Sequence, residues 1–269
     1  MDVKTINEIG VELRSLYGLR TRPIGIKFLR PDEETPSNAV SPTKDLKCHM
    51  AMCQAKAAAR RDGKTIVMSK EDHWCWNPLI VYGLVPCEEG TKEFDLVCKY
   101  IGVQDPDDAK KVLAGFPKLK YGEFDRLVVG PMEDAEFIPD VVLLYCTPAQ
   151  LRSMLFPAKL ENGGIIPSSF DAVDSCAYAV TNPILDGNYR ITVPDPGDYE
   201  RALAAEDEMI FSIPLSRLEA FVACSKGART HNMGYGQLRM NMEYDFARPP
   251  FYNELFDIWN LPQGKDWDR

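Results

Sequence analysis

The chain has 269 residues, of which 45% are hydrophobic and 26% are charged, and its formal net charge is −9 at pH 7. This composition is typical of a globular protein and excludes a coiled coil, a collagen-like chain and a disordered one. Because lysine and arginine are scattered along an acidic chain, we expect neither a nucleic acid nor a membrane as its partner.

Cysteine content and apolar runs indicate the compartment. Eight cysteines in 269 residues are far fewer than a disulfide-stapled secreted scaffold carries. The N-terminal stretch has charge throughout, unlike a secretory signal, and no apolar run approaches the roughly 18 residues that a membrane span needs. We therefore expect a cytoplasmic protein with free thiols.

The first predicted elements alternate between helix and strand. Apolar residues three and four apart predict a helix over residues 3–18, ended by Gly18. The stretch PIGIKFL predicts a strand that contains Lys27. After a proline-rich loop, CQAKAAARRDGK predicts a helix with Cys53 in its first turn. TIVMS predicts a strand, and EDHWCWNPLIVYGL predicts a helix with Cys75 near its N-terminal turn.

The rest of the chain repeats a strand-then-helix order. We predict a helix at 106–114, strands at 125–130 and 139–146, and a helix at 148–160. The tract PDVVLLYCTPAQLRSML is echoed by EMIFSIPLSRLEAFVAC. Between them we expect a helix that contains Cys176, followed by the strand NYRITV. These elements predict a single mixed α/β domain over residues 1–269, built from two similar βα lobes around a central cleft.

Cysteines and histidines lie close together in the sequence. Each histidine is near a cysteine: His49 adjoins Cys48, His73 precedes Cys75, and His231 follows Cys224. The chain has no C-x-x-C pair, so we do not expect a zinc finger. The gap in CHMAMC is also found in plant-type ferredoxins, but the C-x-x-C that follows there is absent. The spacing alone therefore does not separate metal ligation from coincidence.

The surroundings of each cysteine divide them into two groups. Free cysteine is among the most buried residue types, so Cys98 and Cys146, in apolar tracts, are predicted core sulfurs. Acidic neighbours disfavour a thiolate at Cys87. The other five lie beside turns or predicted helix ends, from which a side chain can reach a cleft: Cys48, Cys53, Cys75, Cys176 and Cys224.

Six sequence blocks in a fixed order resemble the DUF169 family of uncharacterised prokaryotic proteins. They are PIGIKFL, CQAKAAARRDGK, SKEDHWC, FIPDVVLLYCTPAQL, a lone cysteine at Cys176, and CSKGAR. The resemblance covers most of the chain and implies an intracellular protein, frequent in anaerobes and archaea, without specifying an activity. It also implies cysteines at Cys53, Cys75, Cys176 and Cys224. In the family's usual last block, Cys-x-Gly-x-Arg, one residue separates the cysteine from the glycine. In CSKGAR, which ends at Arg229, two residues separate them.

Cysteines from four separate segments suit one cubane 4Fe-4S iron–sulfur cluster, because its thiolate ligands must be close in space rather than in sequence. The leading hypothesis is therefore an iron–sulfur protein with a redox or electron-transfer role, or with small-molecule chemistry at an open iron. Cys48 or His49 would replace one ligand or lie beside the cluster and tune its potential. This hypothesis calls for a redox partner protein, and a homodimer is also consistent with the sequence.

Three alternatives remain open. The first is a thiol-dependent enzyme in which Cys53, at a helix N-terminus near basic residues, has a lowered pKa and His49 or His73 acts as base. The second is a non-catalytic module for haem or another tetrapyrrole, with His49, His73 or His231 as axial ligand. The third is an α/β protein with buried sulfurs and no cofactor.

Two further features are weaker candidates for a functional site than the cysteines. Lys27 lies in an apolar strand, and together with the resemblance this favours a pocket in which the lysine meets an anion. Asp171 and Asp174 could share acid–base chemistry, but a solvated helix start explains them better.

Overall fold

The computed structural model describes residues 1–171, 173–238 and 249–261. The chain forms two compact units, Met1–Gln237 and Leu238–Arg269. The strands of the first unit are β1 (Ile24–Leu29), β2 (Ile66–Ser69), β3 (Arg126–Pro131), β4 (Val141–Cys146), β5 (Ser168–Ser169), β6 (Arg190–Thr192) and β7 (Met209–Pro214). They form one sheet in the order β2-β3-β1-β4-β7-β6-β5, in which all neighbours are antiparallel except β5 and β6.

The helices differ widely in length. Those of the first unit are α1 (Val3–Tyr17), α2 (Met52–Ala57), α3 (Trp76–Val81), α4 (Lys92–Tyr100), α5 (Pro106–Gly115), α6 (Pro148–Asn162), α7 (Asn182–Asp186), α8 (Pro196–Ala202) and α9 (Leu215–Thr230). The second unit contains α10 (Phe251–Ile258). Three π-helical turns, Pro42–Leu46, Ala58–Asp62 and Ala177–Thr181, and a 3-10 turn, Met132–Asp134, join these elements. Within the described ranges, no helix combines the length and apolar character needed to cross a membrane.

Helix α1 shows how local sequence fixes an element. The Asp2 side chain accepts a hydrogen bond from the Thr5 backbone N–H at 2.8 Å and begins the helix. Gly18 ends it with φ at 56°, a left-handed conformation that glycine adopts without strain. The predicted helix over residues 3–18 is thus confirmed.

The two faces of the sheet carry separate cores. Along β4 the alternation is complete: Val141, Leu143 and Tyr145 join the first core, whereas Val142, Leu144 and Cys146 join the second. Residues of α2 and of the π-turn Ala177–Thr181 belong to the first core. Helices α1, α6 and α9 contribute to the second core.

The two similar βα tracts are neighbours in this sheet. Strands β4 and β7 pair from Val141 opposite Pro214 to Cys146 opposite Met209. The helix that follows each strand contributes to the second core. The mixed α/β prediction is confirmed, and the two predicted lobes are parts of one continuous sheet.

Candidate functional site

Three of the predicted cysteines lie in the wall of one pocket. Cys53 is the second residue of α2, Cys75 directly precedes α3, and Cys176 directly precedes the π-turn Ala177–Thr181. The pocket has a volume of about 280 Å³, and residues from segments 51–53, 74–78, 173–176 and 195–201 line it. The predicted positions of Cys53 and Cys75 at the starts of helices are confirmed.

The three sulfurs share their surroundings. Cys53 is buried in a small apolar cluster with Ala51 and Ala202, and Cys75 packs against the same cluster. Cys53 and Cys176 are close enough that a charge on Cys53 would raise the pKa of Cys176. All eight cysteines are free. Folding therefore gathers thiols from three distant segments without cross-linking them.

Burial keeps these three thiols neutral. It is the largest influence on each and raises the pKa of Cys53, Cys75 and Cys176. The Lys56 ammonium acts in the opposite direction on Cys53, but burial outweighs it. The expectation that Cys53 has a lowered pKa was therefore wrong, because desolvation of the thiolate exceeds the effect of the nearby positive charge.

A fully buried ion pair lies next to the thiols. The Lys56 Nζ atom is 3.0 Å from Asp198 Oδ1, and both side chains are inaccessible to solvent. Ser175 Oγ and the Tyr145 hydroxyl donate hydrogen bonds to the Asp198 carboxylate at 2.6 and 2.9 Å. Burial disfavours both charges, but their attraction raises the pKa of Lys56 and lowers that of Asp198. A positive charge is thereby held beside Cys176.

Arg201 and Trp74 lie together at the pocket. The Arg201 guanidinium is 5.0 Å from the centre of the Trp74 ring, and Arg201 acts to lower the pKa of the Cys53 thiol, although burial outweighs it. Gly197 leaves room for this arrangement, because a Cβ atom there would lie 2.6 Å from Arg201 Nη2. The sequence interpretation did not include α8 or Arg201, although Asp195 followed by Pro196 is a helix-start signal.

Asp174 contributes a buried carboxyl group to the wall. Its Oδ1 atom accepts a hydrogen bond of 2.7 Å from Asn77 Nδ2. Burial, followed by the charges of Asp171 and Asp195, raises its pKa to about 7. The interpretation of Asp174 as part of a solvated helix start was therefore wrong, because the residue is 6% exposed.

Cys224 and Arg229 lie away from this pocket. Both are on α9, whose Leu218, Phe221 and Val222 pack in the second core, on the opposite face of the sheet. Arg229 lines a surface groove with residues of α1. The structure thus brings together three of the four cysteines predicted to act as a group. Among the residues placed in the structure, no group of three or more His, Cys, Asp or Glu side chains is spaced to hold a single metal ion.

The remaining predicted residues have other surroundings. Cys48 and His49 are exposed. His73 is buried without a hydrogen bond to either ring nitrogen, and burial lowers its pKa to about 4. The Lys27 ammonium lies 3.5 Å from Glu33 and 3.6 Å from Asp140, so its charge already has partners within the fold. Cys146 is a core sulfur, as predicted.

Comparisons with known proteins cover the same part of the chain. A sequence model of DUF169, described as "Uncharacterised ArCR", matches residues 12–223. A relative named "Uncharacterized protein MJ0308", from Methanocaldococcus jannaschii, is 24% identical over 228 residues, which are 82% of this chain and 94% of the relative. No solved structure matches the chain at a significant level. The matched range includes Cys53, Cys75 and Cys176, whereas Cys224 and Arg229 lie beyond its end.

Proposed function

We propose that this chain, which belongs to the DUF169 family, holds an iron–sulfur cluster through Cys53, Cys75 and Cys176. The cluster would serve a redox role or small-molecule chemistry at an iron without a cysteine ligand. The observation that carries the proposal is that three sulfurs from three separate segments line one pocket. Three thiolates suit a cubane in which one iron remains open to another ligand.

The character of the pocket supports this use of the thiols. Its wall is mostly apolar and its cysteines are largely buried, so water has limited access to the sulfurs. Thiols with raised pKa values are protonated at neutral pH, and metal ligation would release those protons. A cubane distributes its ligands over several irons, so its sulfurs need not surround one ion. The residues present therefore fit a cluster better than a mononuclear site.

Two cations favour ligated thiolates in this pocket. Lys56 is buried beside Cys176, and Arg201, in the pocket wall with Cys53, acts to lower the pKa of that thiol. Each lowers the free energy of a neighbouring thiolate relative to its thiol. An uncompensated group of thiolates in an apolar wall would be strongly disfavoured. The Lys56 ammonium thus offsets part of the unfavourable free energy of a buried thiolate at Cys176.

The alternatives receive less support from the same geometry. A nucleophilic Cys53 calls for a lowered pKa, whereas burial raises it. A haem carrier calls for an axial histidine, and none of His49, His73 and His231 is among the described lining residues of the pocket. A cytoplasmic location, a redox partner and a homodimer stay predictions.

The test is anaerobic purification followed by reconstitution with ferrous iron and sulfide. We expect about four irons and four acid-labile sulfides per chain. Cys53→Ala, Cys75→Ala and Cys176→Ala should each lose most of both, together with the visible absorbance and the electron paramagnetic resonance signal of the reduced protein. Cys224→Ala is the matched control and should retain them.

Two results would overturn the proposal. One is a natively folded protein, judged by circular dichroism, that retains no iron after anaerobic reconstitution. The other is a cluster that survives Cys176→Ala but is lost in Cys224→Ala, since that outcome would place the ligands on the opposite face of the sheet.

A further inference from the structure

We infer that the same pocket binds a small carboxylate with an apolar body, and that Arg201 holds its carboxylate group. This inference deepens the proposed function by naming a ligand class for the pocket. It shares the pocket with the cluster but does not depend on ligation by the cysteines.

The first reason is that the hydrogen-bond donors of Arg201 are largely unused. The nearest carboxylate, on Glu200, is 4.0 Å away, at the outer limit of an ion pair. The side chain lines the pocket and is 39% exposed, and over the described part of the chain no protein oxygen accepts a hydrogen bond from it. Buried Arg60 is different, because its guanidinium donates to both carboxylate oxygens of Glu208 and to the Leu203 carbonyl. Arg201 thus retains donors for a further acceptor.

The second reason is that Arg201 is held in position. Its guanidinium lies over the Trp74 ring, and the Trp74 indole N–H donates a hydrogen bond of 3.2 Å to Gln54 Oε1. Glycine at position 197 leaves the space that the guanidinium occupies. A guanidinium restrained by stacking loses less conformational entropy when it binds a ligand.

The third reason is the charge balance of the wall. A guanidinium matches a carboxylate with two parallel hydrogen bonds. Arg201 is the single cationic side chain among the described lining residues, and Asp174 and Asp195 also line the pocket. A phosphate, with its larger charge, would meet one cation and two carboxyl groups. A monoanionic carboxylate suits this balance better.

The last reason concerns the remainder of the ligand. Apolar side chains including Met52, Trp76, Pro78 and Val173 form much of the wall. A volume of about 280 Å³ is sufficient for a small molecule. Contact with these side chains would remove the apolar body of the ligand from water. The pocket therefore favours a compact apolar acid over a sugar or a free inorganic anion.

Calorimetric titration with three probes tests this inference. Benzoate supplies both the charge and the apolar body, benzamide has the same shape without the charge, and acetate has the charge with little apolar surface. Each is added to the metal-free and the reconstituted protein. We expect saturable binding of benzoate, with benzamide and acetate at least about tenfold weaker. Tryptophan fluorescence, to which Trp74 and Trp76 in the pocket wall contribute, provides a second signal.

Arg201→Gln should weaken benzoate binding by about tenfold or more while leaving benzamide binding unchanged. Arg20→Gln is the matched control, because Arg20 is paired with Asp207 and does not line the pocket. The inference fails if benzamide binds as tightly as benzoate or if Arg201→Gln has no effect. It also fails if neither protein form binds benzoate saturably up to about 10 mM, or if inorganic phosphate binds more tightly than benzoate.

Iron content separates this inference from the proposed function. If the protein retains no iron but the metal-free form binds benzoate through Arg201, the cluster proposal fails and the inference stands. If iron is retained without benzoate binding, the inference fails alone. If Arg201→Gln loses iron while benzoate binding is unchanged, Arg201 serves the thiolates rather than a ligand and the inference is overturned.

Discussion

The two faces of the sheet differ in the length of their helices and in the side chains that they bury. On the second face, helices α1, α6 and α9 have 15, 15 and 16 residues and enclose an aromatic cluster that includes Tyr17, Tyr189, Phe211 and Phe221. On the side that contains the pocket, α2, α3 and α8 have six, six and seven residues, and charged side chains are buried. Long helices bury apolar surface efficiently, whereas short helices bring many chain segments to one place.

This difference indicates a division between a face that supplies stability and a face that positions buried charges. A buried ion pair rarely adds net stability relative to apolar residues of the same volume. The pairs Lys56–Asp198 and Arg60–Glu208 therefore mark a part of the molecule in which position matters more than stability. The following variants test that division, from the largest expected effect to the smallest.

Lys56→Met should be the most destabilising variant, by about 4 kcal/mol, because it leaves Asp198 charged and unpaired in the interior. Urea denaturation monitored by circular dichroism measures the change in the free energy of unfolding. The control Lys70→Met removes an exposed lysine and should change that free energy by less than about 0.5 kcal/mol. Adding Asp198→Asn to Lys56→Met should restore part of the loss, and a double variant no more stable than the single one would contradict this explanation.

Leu218→Ala tests the second face. Leu218 is fully buried on α9, and its truncation should cost about 3 kcal/mol of unfolding free energy through lost burial and a cavity. Iron bound per folded chain after reconstitution should be unchanged, because the side chain lies across the sheet from the pocket. Loss of iron from a natively folded Leu218→Ala protein would show that the two faces are not independent.

Asp72 makes the free energy of unfolding depend on pH in the acid range. Burial acts to raise its pKa, but hydrogen bonds from Thr43 and Ser69 outweigh burial and lower the pKa to about 2. The folded-state pKa is below the unfolded value of about 3.9. The charged Asp72 carboxylate therefore stabilises the folded protein by about 2 kcal/mol at pH values above the unfolded pKa. This stabilisation is lost as the pH falls towards the folded-state pKa of about 2.

Urea midpoints measured between pH 6 and pH 2 should therefore fall less steeply for Asp72→Asn than for the natural sequence. Equal slopes for the two proteins would show that Asp72 does not carry this acid dependence.

Thr147→Ala tests a local feature of the second face and should have the smallest effect. The Thr147 side chain accepts a hydrogen bond from the Gln150 backbone N–H and begins α6. Its removal should cost about 1 kcal/mol, measured as a shift in the urea midpoint. Thr147→Ser retains the hydroxyl and should behave like the natural sequence, and an equal loss in both variants would exclude the cap as the cause.

Elements that depend on local signals could be predicted from the sequence. Gly18 at the end of α1 and the positions of Cys53 and Cys75 at helix starts follow from spacing and caps within a few residues. Helix α8 was missed because its seven residues are too few to show a clear apolar period, although Asp195 and Pro196 marked its beginning.

Parts of the site that depend on tertiary packing could not be predicted. Spacing does not tell which face of a sheet a residue occupies, so Cys224 was grouped with cysteines that lie on the other side of the sheet. The burial that raises the pKa of Cys53 and Asp174 comes from segments far away in the sequence. The pairing of Lys56 with Asp198 likewise joins residues from opposite halves of the chain.

The separation of the pocket segments along the chain has a consequence for biosynthesis. Cys53 and Cys75 leave the ribosome early, but Cys176 and α8 emerge only after most of the protein has been made. A growing chain therefore exposes two sulfurs for a long interval before the third can join them. An inorganic centre that needs all three sulfurs can therefore be completed only after Cys176 and α8 have emerged, late in synthesis.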